Sequence, residues 1–263
     1  MVKVNDIFQK LNELAPVSMK MDFDNVGLLV GEAGREVRRV IVSLDITDDV
    51  IDEAASIGAE LIVSHHPLFF SLKSVTDADG AGGKIIKLIK NGIAAICMHT
   101  NLDAAAGGVN DALAARAGIK SPELLTVDGY DESGEPYCIG RYGDLREEMS
   151  LDAYLEYIKN SLGCGGLRYV SAGKKARRVA VMGGSGGDCI HLAAEKGCDT
   201  YVTADVKYHQ FIEAKEAGIN IIDAGHFCTE NVVVPMLADF LGTNFPSLKT
   251  VISTVHAQTE KFF

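Results

Sequence analysis

Two parts of the chain repeat one pattern at a fixed distance. Arg38-Arg39-Val40-Ile41-Val42 matches Arg177-Arg178-Val179-Ala180-Val181 at an offset of 139 residues. Without a gap, the same offset sets Ala54-Ala55-Ser56-Ile57-Gly58 over Ala193-Ala194-Glu195-Lys196-Gly197, and Leu61-Ile62-Val63-Ser64 over Thr200-Tyr201-Val202-Thr203. Further on, Asn91-Gly92-Ile93 parallels Ala217-Gly218-Ile219, and His99 and Asp103 parallel His226 and Glu230 at an offset of 127. In each copy short β-branched runs alternate with stretches of helical period, the rhythm of βαβ units that build a mostly parallel sheet. A duplicated unit accounts for the match. It predicts an α/β fold of two pseudo-related halves with mostly parallel sheets, and a functional site in the cleft between them.

Periodicity and punctuation place the elements. Helices are expected at 4–14, ended by Pro16, at 48–57, closed by Gly58, and at 84–90 after a Gly-rich lead-in at 79–83. Further helices are expected at 109–117, 150–162 with Ser150 as cap, 190–196, 206–217 and 230–241. Strands are expected at 40–44, 60–64, 93–98, 179–182, 200–203 and 219–223, with a short one entered from the turn in 23–31. Between 121 and 172 the rhythm breaks at Pro122, Gly129, Gly134 and Pro136, leaving a strand near 137–141. The expected organisation is a first α/β half over 1–120, on which 230–263 could pack back, an irregular connection or small subdomain over 121–172, and a second half over 173–263.

Leu61–Phe70 reads LIVSHHPLFF, an apolar strand that stops at two adjacent imidazoles before Pro67, whose ring restricts the residue before it. Open α/β sheets bind ligands at the carboxyl ends of their strands. Two more segments fall just past an apolar strand: His99-Thr100-Asn101-Leu102-Asp103 and Gly225-His226-Phe227-Cys228-Thr229-Glu230. Any one histidine alone reads as an ordinary hydrogen-bonded residue. Here four of the seven histidines sit at strand ends, and two have a carboxylate four residues on. Imidazole with carboxylate suits zinc, iron, manganese, cobalt or nickel. Adjacent residues in an extended segment point to opposite sides, so His65 and His66 are expected to serve two neighbouring ions, with Glu230 as the bridging carboxylate. Such paired ions lie about 3.5–4 Å apart and activate a water.

Other features carry less. Met182-Gly183-Gly184-Ser185-Gly186-Gly187 could cradle an anion on its amides or be a plain tight turn; it is neither a dinucleotide fingerprint nor a P-loop. Asp205, which aligns with His66 in the repeat, could line the cleft with Lys207 and Tyr208, while His209 reads as structural. Cys228 reads as a bystander between stronger ligands, and His191 and His256 show no partner spacing. The net charge of −11 and the absence of a clustered basic footprint give no strong nucleic-acid signal. No apolar run approaches the roughly 18 residues of a membrane span. Six cysteines without a C-x-x-C pair, and no recognisable signal peptide, are expected of free thiols in a cytoplasmic protein.

The segments DNVGLLVG (24–31), SHHPLFF (64–70), HTNLDAAAGGVNDALA (99–114), GGSGG (183–187), TADVKYH (203–209) and IDAGHFCTE (222–230) resemble the dinuclear metal centre family. It is also called the NGG-interacting-factor-three-like family, and its members carry the name GTP cyclohydrolase 1 type 2 homologue. The resemblance spans nearly the whole chain. It implies two divalent ions per chain, one held by His66, Asp103 and Glu230 and the other by His65, His226 and the bridging Glu230. It makes His99 a catalytic proton relay or substrate contact, and it implies a toroidal homohexamer. The chain departs from the family pattern at Phe23, where a Trp is frequent, and at Thr203-Ala204-Asp205, where Thr-Gly-Asp is frequent.

The expected function is that of a metal-dependent hydrolase using a metal-bridging water. Its substrate would be a small molecule such as a nucleotide, its purine-like ring opened at a C–N bond as the family name suggests. Two rivals stand beside it: a phosphoesterase, if the Gly183–Gly187 amides face the metals, and a metal-binding scaffold without turnover.

Overall fold

The computed structural model describes residues 1–78 and 80–263; the part of the expected Gly-rich lead-in that falls on Asp79 lies outside the described residues. In chain order the elements are α1 (Val4–Leu14), β1 (Gly27–Val30), β2 (Arg39–Ser43), α2 (Asp48–Ile57), β3 (Leu61–Ser64), α3 (Gly80–Lys90), β4 (Ala94–Cys97), α4 (Thr100–Ala104) and α5 (Val109–Arg116). There follow β5 (Ile119–Leu124), β6 (Gly129–Tyr130), β7 (Pro136–Tyr137), β8 (Arg141–Met149), α6 (Leu151–Leu162), β9 (Arg168–Val170) and β10 (Ala176–Ser185). The chain ends with α7 (Ile190–Glu195), β11 (Thr200–Ala204), α8 (Tyr208–Glu216), β12 (Asn220–Asp223), α9 (His226–Glu230), α10 (Val233–Asn244) and β13 (Lys249–Ile252). None of the described helices is long and apolar enough to cross a membrane.

The chain divides into two compact units, Met1–Leu102 with Val233–Ala257, and Asp103–Val232 with Gln258–Phe263. The first holds a five-stranded sheet in the order β1-β4-β3-β2-β13. Only β1 runs antiparallel to its neighbour. Its central strands β3 and β4 are buried at every position, which explains why they read as continuous apolar runs rather than alternating ones. Helix α2 is fixed at both ends: Thr47 Oγ1 accepts from Val50 N, and Gly58 closes it in the left-handed conformation. Its Val50, Ile51 and Ala54 pack with Ile41, Ile62 and Ala95 of the sheet.

The second unit holds a six-stranded sheet, β5-β8-β10-β11-β12-β9. Its core trio β10-β11-β12 is parallel and the flanking strands are antiparallel. Both faces are covered. Val179, Val181, Val202 and Ile222 pack on one side with Tyr154 and Ile158 of α6, while Ala180, Tyr201 and Ile221 pack on the other with Ile190, Ala193 and Ala214, as strand alternation requires. The stretch 121–172 contains most of β5, then β6 to β9 and α6. Ser150 caps α6, its hydroxyl accepting from Ala153 N.

The repeat is visible in matched hydrogen bonds. Glu60 Oε2 accepts from the amides of Arg38 and Arg39, and Asp199 accepts from those of Arg177 and Arg178. Gly58 N bonds Ala55 O in one copy and Gly197 N bonds Ala194 O in the other. Met98 N reaches Ser64 O, and Ala224 N reaches Thr203 O. The second copy then inserts one residue, Gly225, at φ 82°, a conformation that favours glycine. That insertion is why the histidines that follow align at an offset one larger than the strands before them.

Candidate metal centre

In the first unit three imidazoles gather past the ends of β3 and β4. The ring centroids of His65 and His66 lie 5.1 Å apart, His65 and His99 5.1 Å, and His66 and His99 5.6 Å. One nitrogen from each lies within 4.8 Å of the other two, a spacing that could hold one metal ion. The rings of His65 and His66 are thus close neighbours, whichever ion each serves. Strand β3 ends at Ser64, so the alternation rule has lapsed before it reaches either ring. His99, expected as a relay, stands among the possible ligands.

Each ring is oriented by an acceptor on Nδ1. His65 Nδ1 donates to the Met98 carbonyl at 2.8 Å, His66 Nδ1 to Asp45 Oδ1 at 2.7 Å, and His99 Nδ1 to Asp24 Oδ1 at 2.8 Å. A carbonyl or an ionised carboxylate can only accept, so the proton sits on Nδ1 and the lone pair of a neutral ring sits on Nε2. This is the arrangement by which proteins orient and strengthen histidine ligands. Asp24 is held further by Thr100, whose amide donates at 3.0 Å and whose hydroxyl donates at 2.5 Å. Asp45 is met on its other oxygen by His256 Nε2 at 3.1 Å. Burial alone would raise both carboxyls. For Asp24 the donors His99 and Thr100 outweigh it, and for Asp45 the donors His256 and His66, leaving both well below the usual carboxylate range.

In the second unit the corresponding group is built around Glu230. Its Oε2 lies 2.9 Å from His226 Nε2, and a carboxylate oxygen of Asp103 lies within 4.8 Å of one of its own. His226 Nδ1 meets Asp205 Oδ2 at 2.7 Å. The Glu230 carboxylate beside it, with Asp205 adding to it against partial burial, pushes the His226 pKa up to about 9. Backbone contacts set this cluster in place. Asn110 accepts from Gly183 N at 2.9 Å and donates to Asp103 O at 3.0 Å. Thr229 Oγ1 accepts from Gly184 N at 3.1 Å. Gly184 has φ 62°, and a Cβ there would overlap Glu230 Oε1 and stand 3.2 Å from His226 Cε1.

Gly183 and Gly184 therefore pack their backbone against Glu230. The amides of Gly183, Gly184 and Gly186 are already bonded within the unit, which leaves the anion-cradle reading three fewer donors. The imidazole and carboxylate donors, their Nδ1 atoms anchored by acceptors, fit a borderline divalent ion.

A family model described as Duf34/NIF3 (NGG1p interacting factor 3) matches residues 2–261. The chain belongs to the DUF34/NIF3 family. It is 40% identical over 232 residues to a Clostridium perfringens protein named GTP cyclohydrolase 1 type 2 homolog, covering 87% of each. A Lactococcus lactis protein of the same name is 34% identical over 245 residues, covering 91% of each. Among solved structures, a Bacillus cereus protein related to NIF3 superposes with a TM-score of 0.93 at 27% identity, covering 100% of this chain and 99% of that one.

Within this DUF34/NIF3 chain, sequence reasoning overlooked the carboxylates behind the rings. Asp24 lies in the DNVG segment that carried the family resemblance, but nothing local assigns it to His99. Asp45 follows β2 with no partner spacing, and His256 reaches it from 211 residues away. Asp205 was traceable, because the repeat sets it over His66: one position carries the ring in one copy and the ring's acceptor in the other. Cys228 is buried in the core cluster, and His191 and His209 are exposed.

Proposed function

We propose that the protein is a metal-dependent hydrolase in which His65, His66, Asp103, His226 and Glu230 together hold two divalent ions drawn from zinc, iron, manganese, cobalt or nickel. One would be held by His65, Asp103 and Glu230, the other by His66, His226 and Glu230, which exchanges His65 and His66 relative to what the resemblance implies. The observation that carries the reading is the anchoring of four imidazoles on Nδ1, three by aspartates and one by a carbonyl, because acceptors placed there direct the other nitrogen to a metal. Bound ions would supply Lewis acidity, lowering the pKa of water and polarising the substrate.

The protein's own groups then have separable tasks. Asp24 holds His99 in one tautomer, so that Nε2 can take a proton from the attacking water or return one to a leaving nitrogen. Asn110, Thr229 and Gly184 keep Asp103 and Glu230 in place while charge develops. The relatives' name supports a nucleotide substrate opened at a C–N bond, and the occupied amides of the Gly183–Gly187 turn count against the phosphoesterase alternative. The proposal includes assembly as a homohexamer, for which sedimentation gives a direct test.

Turnover is tested by incubating metal-loaded protein with GTP and with model phosphoesters, beside a Glu230→Ala control. Release of product from GTP by the wild type and not by the control is the expected result. Equal, negligible turnover in both, with metal bound by the wild type, would replace the hydrolase by a metal-binding scaffold.

A further inference from the structure

Two large aromatic side chains of the first unit stand in solvent. Phe23 is 63% exposed and Phe70 is 54% exposed. Their loops are nonetheless tied down, and tied to each other. Phe23 precedes Asp24, whose carboxylate takes His99 Nδ1 and the Thr100 amide. Phe70 follows Phe69, whose carbonyl accepts from Asn25 Nδ2 at 2.9 Å. The short Asp24-Asn25 turn thus positions His99 with one residue and the Phe70 loop with the next. The outcome is an aromatic group next to the candidate centre: the Phe70 ring centroid is 5.8 Å from that of His99, and the Phe23 centroid is 6.1 Å from that of Phe70 at an interplanar angle of 50°.

We propose that Phe23 and Phe70 form an aromatic corner that receives a planar heteroaromatic ring of the substrate beside His99. The proposal rests on the hydrolase reading for the role of His99, and it adds the residues that receive and select the substrate's ring. At 50° the two phenyl rings neither stack on each other nor close a sandwich. A third flat ring can lie on one of them and meet the other edge-on, within the roughly 4.5–7 Å centroid range that favours aromatic pairs. An aliphatic or sugar ligand would gain contact area there but not the stacking preference. Two phenyl faces also fall far short of the roughly 1,200 Å² that a stable protein interface buries.

The test uses full-length, metal-loaded protein, with guanosine and ribose as probes, read by titration calorimetry. Elemental content and elution volume are measured on every sample. The wild type should bind guanosine and not ribose. Phe23→Leu/Phe70→Leu keeps apolar bulk but removes the π faces, and should weaken guanosine binding about tenfold with metal content and elution unchanged. Phe70→Trp should retain or strengthen it, and decides the matter if the double variant does not fold. Unchanged guanosine binding in the double variant, equal binding of ribose, or loss of binding in Phe70→Trp would overturn the corner. A changed elution volume with guanosine binding intact would assign the rings to contact between copies, which also overturns it. Ring binding without turnover refutes the hydrolase and leaves the corner; full metal occupancy without ring binding refutes the corner and leaves the centre.

Discussion

Alanine at Gly184 separates two costs that usually come together. The residue has φ 62°, and its new Cβ would overlap Glu230 Oε1. Gly173 offers the matched control, with φ 76° and no other atom within 4 Å of where an alanine Cβ would stand. Both substitutions place an L side chain in the left-handed region, at a cost of about 1–2 kcal/mol. For a chain of this length that corresponds to a fall in melting temperature of roughly 2–8 °C. Only Gly184→Ala must also move Glu230, a buried carboxylate that the proposal assigns to both ions. The expectation is therefore thermal destabilisation of both variants when stripped with chelator, larger in Gly184→Ala because Glu230 must move, followed by a clear split on reloading. Gly173→Ala should recover wild-type metal content, and Gly184→Ala should bind about tenfold more weakly or less, as expected when a ligand's support is disturbed. Thermal melts and elemental analysis of the same samples read both quantities. Equal metal retention in the two variants would refute the idea that the glycine turn fixes Glu230 for metal binding.

Other outcomes follow from the same geometry. Asp24 and Asp45 are held below the ordinary carboxylate range, so they contribute stability that is full above an unfolded-state value of about 3.9 and is lost as pH falls. Acid denaturation below about pH 4 should be shallower in Asp24→Asn, whose stability at neutral pH should already be reduced. His226 has the opposite sign: with its pKa raised to about 9, its contribution is complete below an unfolded value of about 6.5 and disappears as pH rises through 9. Chelator-treated wild type should lose melting temperature across that window, and His226→Asn should lose less. Arg141 is buried and donates to Asp111 and to the carbonyls of Cys138, Gly140, Ala104 and Ala105. Arg141→Ala leaves these acceptors without their donor and should cost about 3–5 kcal/mol in denaturant unfolding.

How far the sequence can be read depends on what kind of signal each element carries. Buried parallel strands such as β3 and β4 announce themselves, because both faces are buried and the run is apolar almost throughout. Helices α1 and α2 do so through period and caps, and their bounds fall where the pattern puts them. Strand β8 does not: its RYGDLREEM is polar along most of its length because much of it is exposed. Strand β13 is short and half-exposed, and pairs with β2 from the far end of the chain, so no local pattern marks it. The same division holds at the candidate centre. Histidines and carboxylates at strand ends are visible because their type and position coincide. Asp24 and Asp45, unlike Asp205, are visible as orienting groups only once the chain has folded, since the contact of Asp24 with His99 or of His256 with Asp45 is a product of topology. The turn at Gly183–Gly187 resembles an anion cradle in sequence, whereas in structure Gly183 and Gly184 serve a close approach to Glu230 and the amides of Gly183, Gly184 and Gly186 are bonded within the unit.

Binding of two ions by these donors is tested by elemental analysis of the purified wild type against Glu230→Ala. The expected result is about two divalent ions per chain in the wild type and a marked loss in the variant, because both ions would share that carboxylate. No metal in the wild type after reloading with zinc, iron, manganese, cobalt and nickel, or identical metal content in the two proteins, would contradict it.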